Sequence, residues 1–310
     1  MDRRITTLSN LQILIIALLS VITPFLDYRF LPLSLIFIFF TIKNILLRII
    51  FIGPGNPKPS LNSPKHTVEF HQWEGGKTCF HSHFYDKVSD LVIFIHGWES
   101  SSGRFDHRID LFSERGFHTL AIDMRGHGNS SKTAEWTAGK VINDLKDILK
   151  KIGQDKISKV HFYGHSLGGF ITLGLQNDRH QGWWKDKLGT IILESPMTGY
   201  SFILSDITKR FRIYEPLMRI LALRGFNKIH PEVGGILWED IDIPKWGVPE
   251  CPTLILQAKD DNRLGREHYN LLTNQDFTFE SHLLESLTHS RNRINKERDA
   301  LIVDWIENPR

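Results

Sequence analysis

The chain has 310 residues, 41% hydrophobic and 24% charged, with a formal net charge of +3. This composition excludes disordered and collagen-like chains, and the length holds one large α/β domain with an appendage. The excess charge lies within residues 1–52, where Arg3, Arg4, Arg29, Lys43 and Arg48 face only Asp2 and Asp27; the remaining charges balance, so no nucleic-acid partner is expected.

Residues 11–26 (LQILIIALLSVITPFL) carry no charge, and the uncharged run extends back to Ile5. That length can just cross a hydrocarbon core of about 30 Å. After the polar break Asp27-Tyr28-Arg29, residues 30–53 are apolar again but hold Lys43, Asn44 and Arg48. The pattern predicts a transmembrane helical hairpin over residues 1–52, with Lys43 and Arg48 near the far end of its second helix. A cleaved signal peptide would use MDRR as its charged start, but no A-x-A-like site follows and a second apolar block does. A single span followed by an interfacial helix is the other reading. Arg3 and Arg4 before the first span, Lys43, Arg48, Lys58 and Lys65 following, and a neutral connecting loop predict both ends on the cytoplasmic side. Residues 53–65 hold four prolines and two glycines and read as a linker to a domain over 66–310.

From residue 66 strands alternate with helices. Segments 67–73 and 78–85 read as a hairpin turning at Glu74-Gly75-Gly76-Lys77. LVIFIHG (91–97) is a strand buried on both faces, and further strands are predicted at 117–123, 159–163, 190–194, 252–257 and 277–286. Helices are predicted at 103–115, 137–152, 167–176 and 292–306. The alternation implies a mostly parallel sheet with helices on both faces and ligands at the carboxyl ends of the strands. About 55 residues from Pro196 to Glu250 interrupt it. This insertion, roughly 196–250, reads as a helical cap with Phe202, Ile203, Ile207, Phe211, Leu217, Met218, Ile220 and Leu221 as its apolar set.

The chemistry centres on residues 161–170, HFYGHSLGGF, where Ser166 lies between a strand and a helix. Such a sharp turn strains the central residue and brings neighbouring chains close, so Gly164 and Gly168 flank it. The hydroxyl is pushed out at the top of the sheet, beside the N–H groups of the helix start. The motif alone is weak, but its strand-turn-helix setting strengthens it.

HGW (96–98), DMRGHGNS (123–130), GHSLGG (164–169) and a late acid and histidine appear in that order. Together they resemble the α/β-hydrolases with a serine nucleophile, close to the monoacylglycerol lipase, lysophospholipase and serine aminopeptidase group. The resemblance covers roughly residues 66–307 and leaves the N-terminal hairpin outside. It implies an α/β-hydrolase fold, no cofactor, and the order serine, acid, histidine.

A serine hydroxyl needs a base to take its proton and a carboxylate to orient that base. Of the downstream His180, His230, His268, His282 and His289, only His289 falls in a loop between the last strand and the last helix. The acid is expected after strand 252–257, where the family shows Gly-x-x-Asp and this chain has Ala258-Lys259-Asp260-Asp261 followed by Asn262 in place of proline. Asp261 aligns, Asp260 is the runner-up, and Glu194 at the end of the preceding strand is a third candidate. Leu167, directly after the nucleophile, offers one backbone N–H to an oxyanion, and the family pattern gives the other to Trp98. His96 reads as support for the Trp98 loop.

Other signals are discounted. His66, His71, His81 and His83 read as solvated strand histidines, because no third ligand at zinc spacing follows the His81/His83 pair. Cys79 and Cys251 stand in no metal or redox spacing and read as free thiols. Asp123 and His127 read as structural parts of a glycine-rich turn. Lys209, Arg210, Arg212, Arg219 and Arg224 on the cap read as a solvated face that could meet lipid phosphates.

The expected function is a membrane-anchored serine hydrolase that cleaves acyl esters through an acyl-enzyme. Its expected partners are the membrane and a lipid or small acyl-ester substrate, such as a lysophospholipid or a monoacylglycerol. Acyl transfer, thioester or peptide cleavage, and a non-catalytic hydrolase-like binding protein are the alternatives on the same fold. Epoxide hydrolases and haloalkane dehalogenases carry an aspartate where Ser166 stands. No oligomeric state is read from the sequence.

Overall fold

The computed structural model describes residues 3–209, 214–290 and 292–308. The helices and strands, in chain order, are α1 (Asn10–Leu26), α2 (Leu31–Ile50), β1 (Thr67–Trp73), β2 (Gly76–His83), β3 (Ser89–Ile95), α3 (Asp106–Ser113), β4 (His118–Asp123), α4 (Ala138–Lys151), β5 (Ile157–His165), α5 (Leu167–Gln176), α6 (Trp183–Asp186), β6 (Leu188–Glu194), α7 (Tyr200–Thr208), α8 (Glu215–Ile229), β7 (Thr253–Ala258), α9 (Glu267–Thr273), β8 (Phe279–Leu284) and α10 (Lys296–Glu307). The chain divides into two compact units. One comprises residues 1–53, 134–137 and 204–238, and the other 54–133, 138–203 and 239–310.

The larger unit is built on one sheet of eight strands in the order β1-β2-β4-β3-β5-β6-β7-β8. The β1/β2 and β2/β4 pairs are antiparallel and all the others parallel. This is the mostly parallel sheet expected from the alternation, in the α/β-hydrolase arrangement that the resemblance implies. The first hairpin turns more tightly than its sequence suggested. Trp73 pairs with Gly76, so Glu74 and Gly75 alone make the turn, and Gly75 takes φ 92°. A two-residue turn of this hand needs positive φ, which glycine adopts without strain.

Continuous apolar runs put the central strands in the middle of the unit: Leu91 to Ile95 are all buried. On one face Phe94 meets the rings of Phe105, Phe112 and Tyr163 at 5.4–5.6 Å, in tilted, edge-on and stacked arrangements. Trp305 and Ile302 of α10 close the same cluster. On the other face α4 turns Val141, Ile142, Leu145, Ile148 and Leu149 inward. The linker is more than a spacer. Leu61 is buried in the Phe94 cluster, its N–H donates to Ser102 Oγ at 2.9 Å, and the Ser101 hydroxyl donates to Pro59 O at 2.5 Å.

The smaller unit begins with α1 and α2, packed on each other. Ser9 caps α1 with a reciprocal Gln12 contact, and Asp27 ends it. At 1.5 Å per residue the 17 and 20 residues of α1 and α2 are about 26 and 30 Å long. Among the described residues, Tyr28–Ile50 is the helix both long and apolar enough to cross a membrane, and α1 is shorter. Asn44 bridges the pair, accepting from Leu8 N–H at 2.8 Å and donating to Phe40 O at 2.8 Å. Arg48 donates to Leu8 O at 2.7 Å, at the end where both termini meet.

The insertion after β6 does contain helices, α7 and α8. Its buried set differs in part from the expected one. Leu204, Met218, Leu221, Ala222 and Phe226 are buried, whereas Ile207 and Ile220 are about half exposed. A 25-residue apolar pattern cannot reveal which stripe faces a partner when the helix breaks in its middle. Phe211, Arg210 and Arg212 lie outside the described residues.

Phe94→Ala should empty the centre of the aromatic cluster and cost about 3–5 kcal/mol. Reversible denaturant unfolding of the purified variant measures this, and a loss under about 1 kcal/mol would show that the cluster is not the core it looks to be.

Candidate active site

The site forms where β5 turns into α5. Ser166 sits at φ 53°, ψ −119°, a backbone position that non-glycine residues rarely adopt. Its neighbours must be small. A Cβ on Gly168 would lie 1.8 Å from Ile95 O, one on Gly164 2.7 Å from Gly168 O, and one on Gly169 2.7 Å from Pro196 Cβ. The strained turn is held from both sides. Ser166 N–H donates to Glu194 O at 3.0 Å, and Ser166 O accepts from Met197 N–H at 3.0 Å.

Two other strand ends converge on that hydroxyl. His289, in the loop after β8, places Nε2 2.9 Å from Ser166 Oγ, and Asp261, just after β7, accepts from its Nδ1–H at 2.8 Å. Because the carboxylate can only accept, it keeps the proton on Nδ1 and leaves Nε2 free to accept from the serine hydroxyl. All three residues are buried. Burial works against the charge of Asp261. The hydrogen bond and charge of His289, with the N–H groups of Leu264 and Arg263 at 3.0 and 2.9 Å, outweigh burial and hold the carboxyl at about 2.

The rival acids are elsewhere. Asp260 is exposed beside the buried Asp261. Glu194 accepts from Arg108 at 2.9 Å and from the Tyr163 hydroxyl at 2.6 Å. Among the other histidines, His268 is buried on α9 and accepts from Thr198 N–H at 2.9 Å, while His282 reaches Glu280 at 2.7 Å. His230 pairs with Thr137 at 2.8 Å within the smaller unit.

Leu167 opens α5, so its N–H has no carbonyl one turn back within the helix. The Trp98 loop approaches Ser166 closely. A Cβ on Gly97 would lie 3.0 Å from Ser166 Cβ and 2.9 Å from His165 Nδ1. The Trp98 ring meets His127 edge-on at 5.3 Å and is 39% exposed, so it packs on one side and faces outward on the other.

Two neutral histidines clamp that loop. His96 Nδ1–H donates to Gly97 O at 2.7 Å while its Nε2 accepts from Met124 N–H at 3.1 Å. His127 Nδ1–H donates to Arg125 O at 3.0 Å while its Nε2 accepts from Glu99 N–H at 3.2 Å. Burial lowers both, His127 to about 3, so neither carries charge at neutral pH. Asp123 completes the frame, accepting from Ser102 N–H at 2.7 Å, Asn129 N–H at 3.1 Å and the Ser60 hydroxyl.

The strand histidines are not solvated as expected. His66, His71 and His81 are 8%, 7% and 1% exposed. The sheet also brings a third potential ligand to the pair His81 and Cys79. Asp123 pairs with β2 through β4, and the donor atoms of Cys79, His81 and Asp123 lie within 4.8 Å of one another. Strand pairing between distant segments, invisible to local spacing, assembles this trio. Burial pushes the Cys79 thiol up to about 12, and the Asp123 oxygens already serve the two loops.

Sequence reasoning missed the residues that hold the His289 loop. His165 Nε2–H donates to His289 O at 2.7 Å, and burial takes its ring down to about 3. Arg108 and Arg298 both donate to Asn292 O, at 3.1 and 2.8 Å, and both lie against Glu194. Burial opposes the Glu194 charge, yet the two guanidinium groups hold its carboxyl at about 2. Thus Glu194 holds the serine through its backbone and the histidine loop through its side chain. The available signal was a charged residue ending an otherwise apolar strand.

The chain is similar to several known proteins. The family described as serine aminopeptidase, S33, matches residues 86–235. The AB hydrolase superfamily protein YisY of Bacillus subtilis is 25% identical over 55% of this chain and 74% of its own length. The lysophosphatidylserine lipase ABHD12 of Rattus norvegicus is 26% identical over 66% of this chain, which spans about half (52%) of that lipase. Among solved structures, the Est1E protein of Butyrivibrio proteoclasticus with bound ferulic acid has a TM-score of 0.56 at 18% identity, covering 77% of this chain and 98% of its own. The Pyrococcus furiosus esterase Pf2001 has a TM-score of 0.56 at 17% identity, covering 82% and 97%. These structural likenesses show the fold.

The Glu194 value sets an acid response. An unfolded glutamate titrates near 4.3, well above the folded value of about 2, so the stabilisation is complete above pH ~4.3 and is lost as pH falls through about 2. Urea melts between pH 5 and 2 should show this loss, and Glu194→Gln should flatten the profile while lowering stability at pH 7. An unchanged slope in the variant would show that another carboxylate governs the acid limb.

Proposed function

We propose that this chain, a serine hydrolase of the α/β-hydrolase superfamily, cleaves the acyl ester of a single-chain lipid at a membrane to which its N-terminal hairpin anchors it. The observation that carries the reading is the hydrogen-bonded series Ser166, His289, Asp261 at 2.9 and 2.8 Å on a strained strand-to-helix turn. In the proposed reaction His289 Nε2 takes the proton as Ser166 Oγ attacks the ester carbonyl. The Trp98 and Leu167 N–H groups hold the oxyanion of the tetrahedral intermediate, each worth about 3–4 kcal/mol of barrier. His289 then protonates the departing alcohol. Water, deprotonated by the same nitrogen, releases the acid from the acyl-enzyme. Asp261 stays ionised throughout and fixes the imidazole.

The lipid part of the reading rests on two features. The hairpin exposes large apolar side chains along its outer faces, among them Leu11, Leu18, Phe25, Leu35 and Ile45. The relative that hydrolyses lysophosphatidylserine matches 66% of this chain. A lysophospholipid or monoacylglycerol presents one acyl ester and partitions into the bilayer that the hairpin would occupy, where tethering raises its local concentration. The basic residues flanking the apolar segments favour both hairpin ends on the cytoplasmic side. A reporter fused after Arg310 should then be active in the cytoplasm, and activity only on the opposite side would reverse the orientation. The matched aminopeptidase family supports a second reading, release of N-terminal amino acids, which aminoacyl p-nitroanilides distinguish from lyso-lipids.

A fluorophosphonate probe should label wild-type protein and leave Ser166→Ala unlabelled. Asp261→Asn should lower turnover by about 10⁴-fold, as expected when the base loses its orienting carboxylate, and Asp260→Asn by less than about twofold. Absence of labelling would indicate a non-catalytic binding protein, and the reverse order of the two aspartates would reassign the acid.

A further inference from the structure

The smaller unit joins two pieces that the sequence keeps some 150 residues apart, the hairpin and the insertion that carries α8. The junction is specific. Phe51, at the end of α2, is 1% exposed and meets Phe226 of α8 edge-on, with centroids 5.1 Å apart. Its ring fills the space beside Gly225, where a Cβ would lie 2.2 Å from Phe51 Cε2. A glycine inside a helix costs about 1 kcal/mol against alanine, so its presence in the middle of α8 marks a close approach.

Residues 134–137 then fasten every piece of the unit. Glu135, 1% exposed, accepts from Ile5 N–H at 3.1 Å and Thr6 N–H at 2.8 Å, just before α1. Trp136 N–H donates to Phe51 O at 3.0 Å, at the end of α2. Thr137 Oγ1 pairs with His230 Nε2 at 2.8 Å, at the end of α8. Three consecutive residues thus hold three different segments. A simple tether would need none of these contacts.

The stems of the insertion also bear on function. It leaves the larger unit after β6 and returns before β7, the strands whose ends carry Glu194 and precede Asp261. From these observations we infer that the hairpin is a structural half of the cap: it holds α8 in place through the Phe51–Gly225–Phe226 contact and residues 134–137, and the cap so held selects acyl esters delivered from the bilayer over those dissolved in water. The last clause rests on the proposed hydrolase reading; the first does not.

The test uses the full chain in phosphatidylcholine vesicles, comparing wild type, Phe51→Ala, the milder Phe51→Leu, and Ile45→Ala on the exposed side of α2 as a control. Trypsin cleavage after Arg219, Arg224 and Lys228 reports on α8, because digestion of a locally opened segment follows its open population. Phe51→Ala should speed this cleavage at least about tenfold and Phe51→Leu less, with Ile45→Ala at the wild-type rate. Hydrolysis of vesicle-borne monooleoylglycerol should fall about tenfold in Phe51→Ala, while p-nitrophenyl acetate turnover and fluorophosphonate labelling stay within about twofold, because only the cap has loosened. Wild-type cleavage rates in both Phe51 variants would overturn the inference. Equal losses on the lipid and the soluble ester would overturn its selectivity clause. Should wild type show no fluorophosphonate labelling, the hydrolase reading fails, while the trypsin comparison still decides whether hairpin and α8 are one body.

Discussion

The backbone of one residue constrains the rest of the candidate site. Ser166 at φ 53° is held in a conformation that costs of order 1–3 kcal/mol, and it persists only because its surroundings over-determine it. Backbone hydrogen bonds to Glu194 and Met197 fix the turn, and Gly164, Gly168 and Gly169 let β3 and the Pro196 loop close around it. The strained residue ends β5 and opens α5, and its hydroxyl stands 2.9 Å from His289 Nε2.

The surrounding loops are pinned by buried polar groups as well as by apolar packing such as that of Leu287. His96 and His127 each use one ring nitrogen as donor and the other as acceptor, which fixes their tautomers and holds residues 96–99. On the opposite side Arg108, Arg298 and Glu194 grip the loop that carries His289. Buried groups of this kind are costly unless every partner is present, so they enforce one geometry. Placement to a few tenths of an ångström is what the proposed proton transfer between Ser166 and His289 would require.

The smaller unit follows the same logic at larger scale. Its helices are apolar on their outer faces, yet their ends and crossings are fixed by Asn44, Arg48, Glu135 and Thr137. Such hydrogen bonds fix which segments meet, while apolar contact alone would not discriminate among partners.

The sequence by itself determined the alternation of strands and helices, the strand-turn-helix setting of Ser166 and the apolar character of residues 11–50, because each depends on neighbours within a few positions. It also narrowed the candidate base to one loop histidine and the candidate acid to Asp261, with Asp260 and Glu194 behind it, since the chain order of strand ends is local information. The resemblance puts Asp261 ahead of Asp260, but what separates their side chains is burial, which belongs to the packed chain: Asp261 meets His289 while Asp260 is exposed. The same holds for His66, His71 and His81, whose exposure was misjudged because period-2 patterning names the faces of a strand without saying what covers them. Only the tertiary structure could bring Asp123 to Cys79 and His81, Arg108 and Arg298 to Glu194, and Phe51 to Gly225. Each of these contacts joins segments whose separation along the chain carries no signal of their meeting.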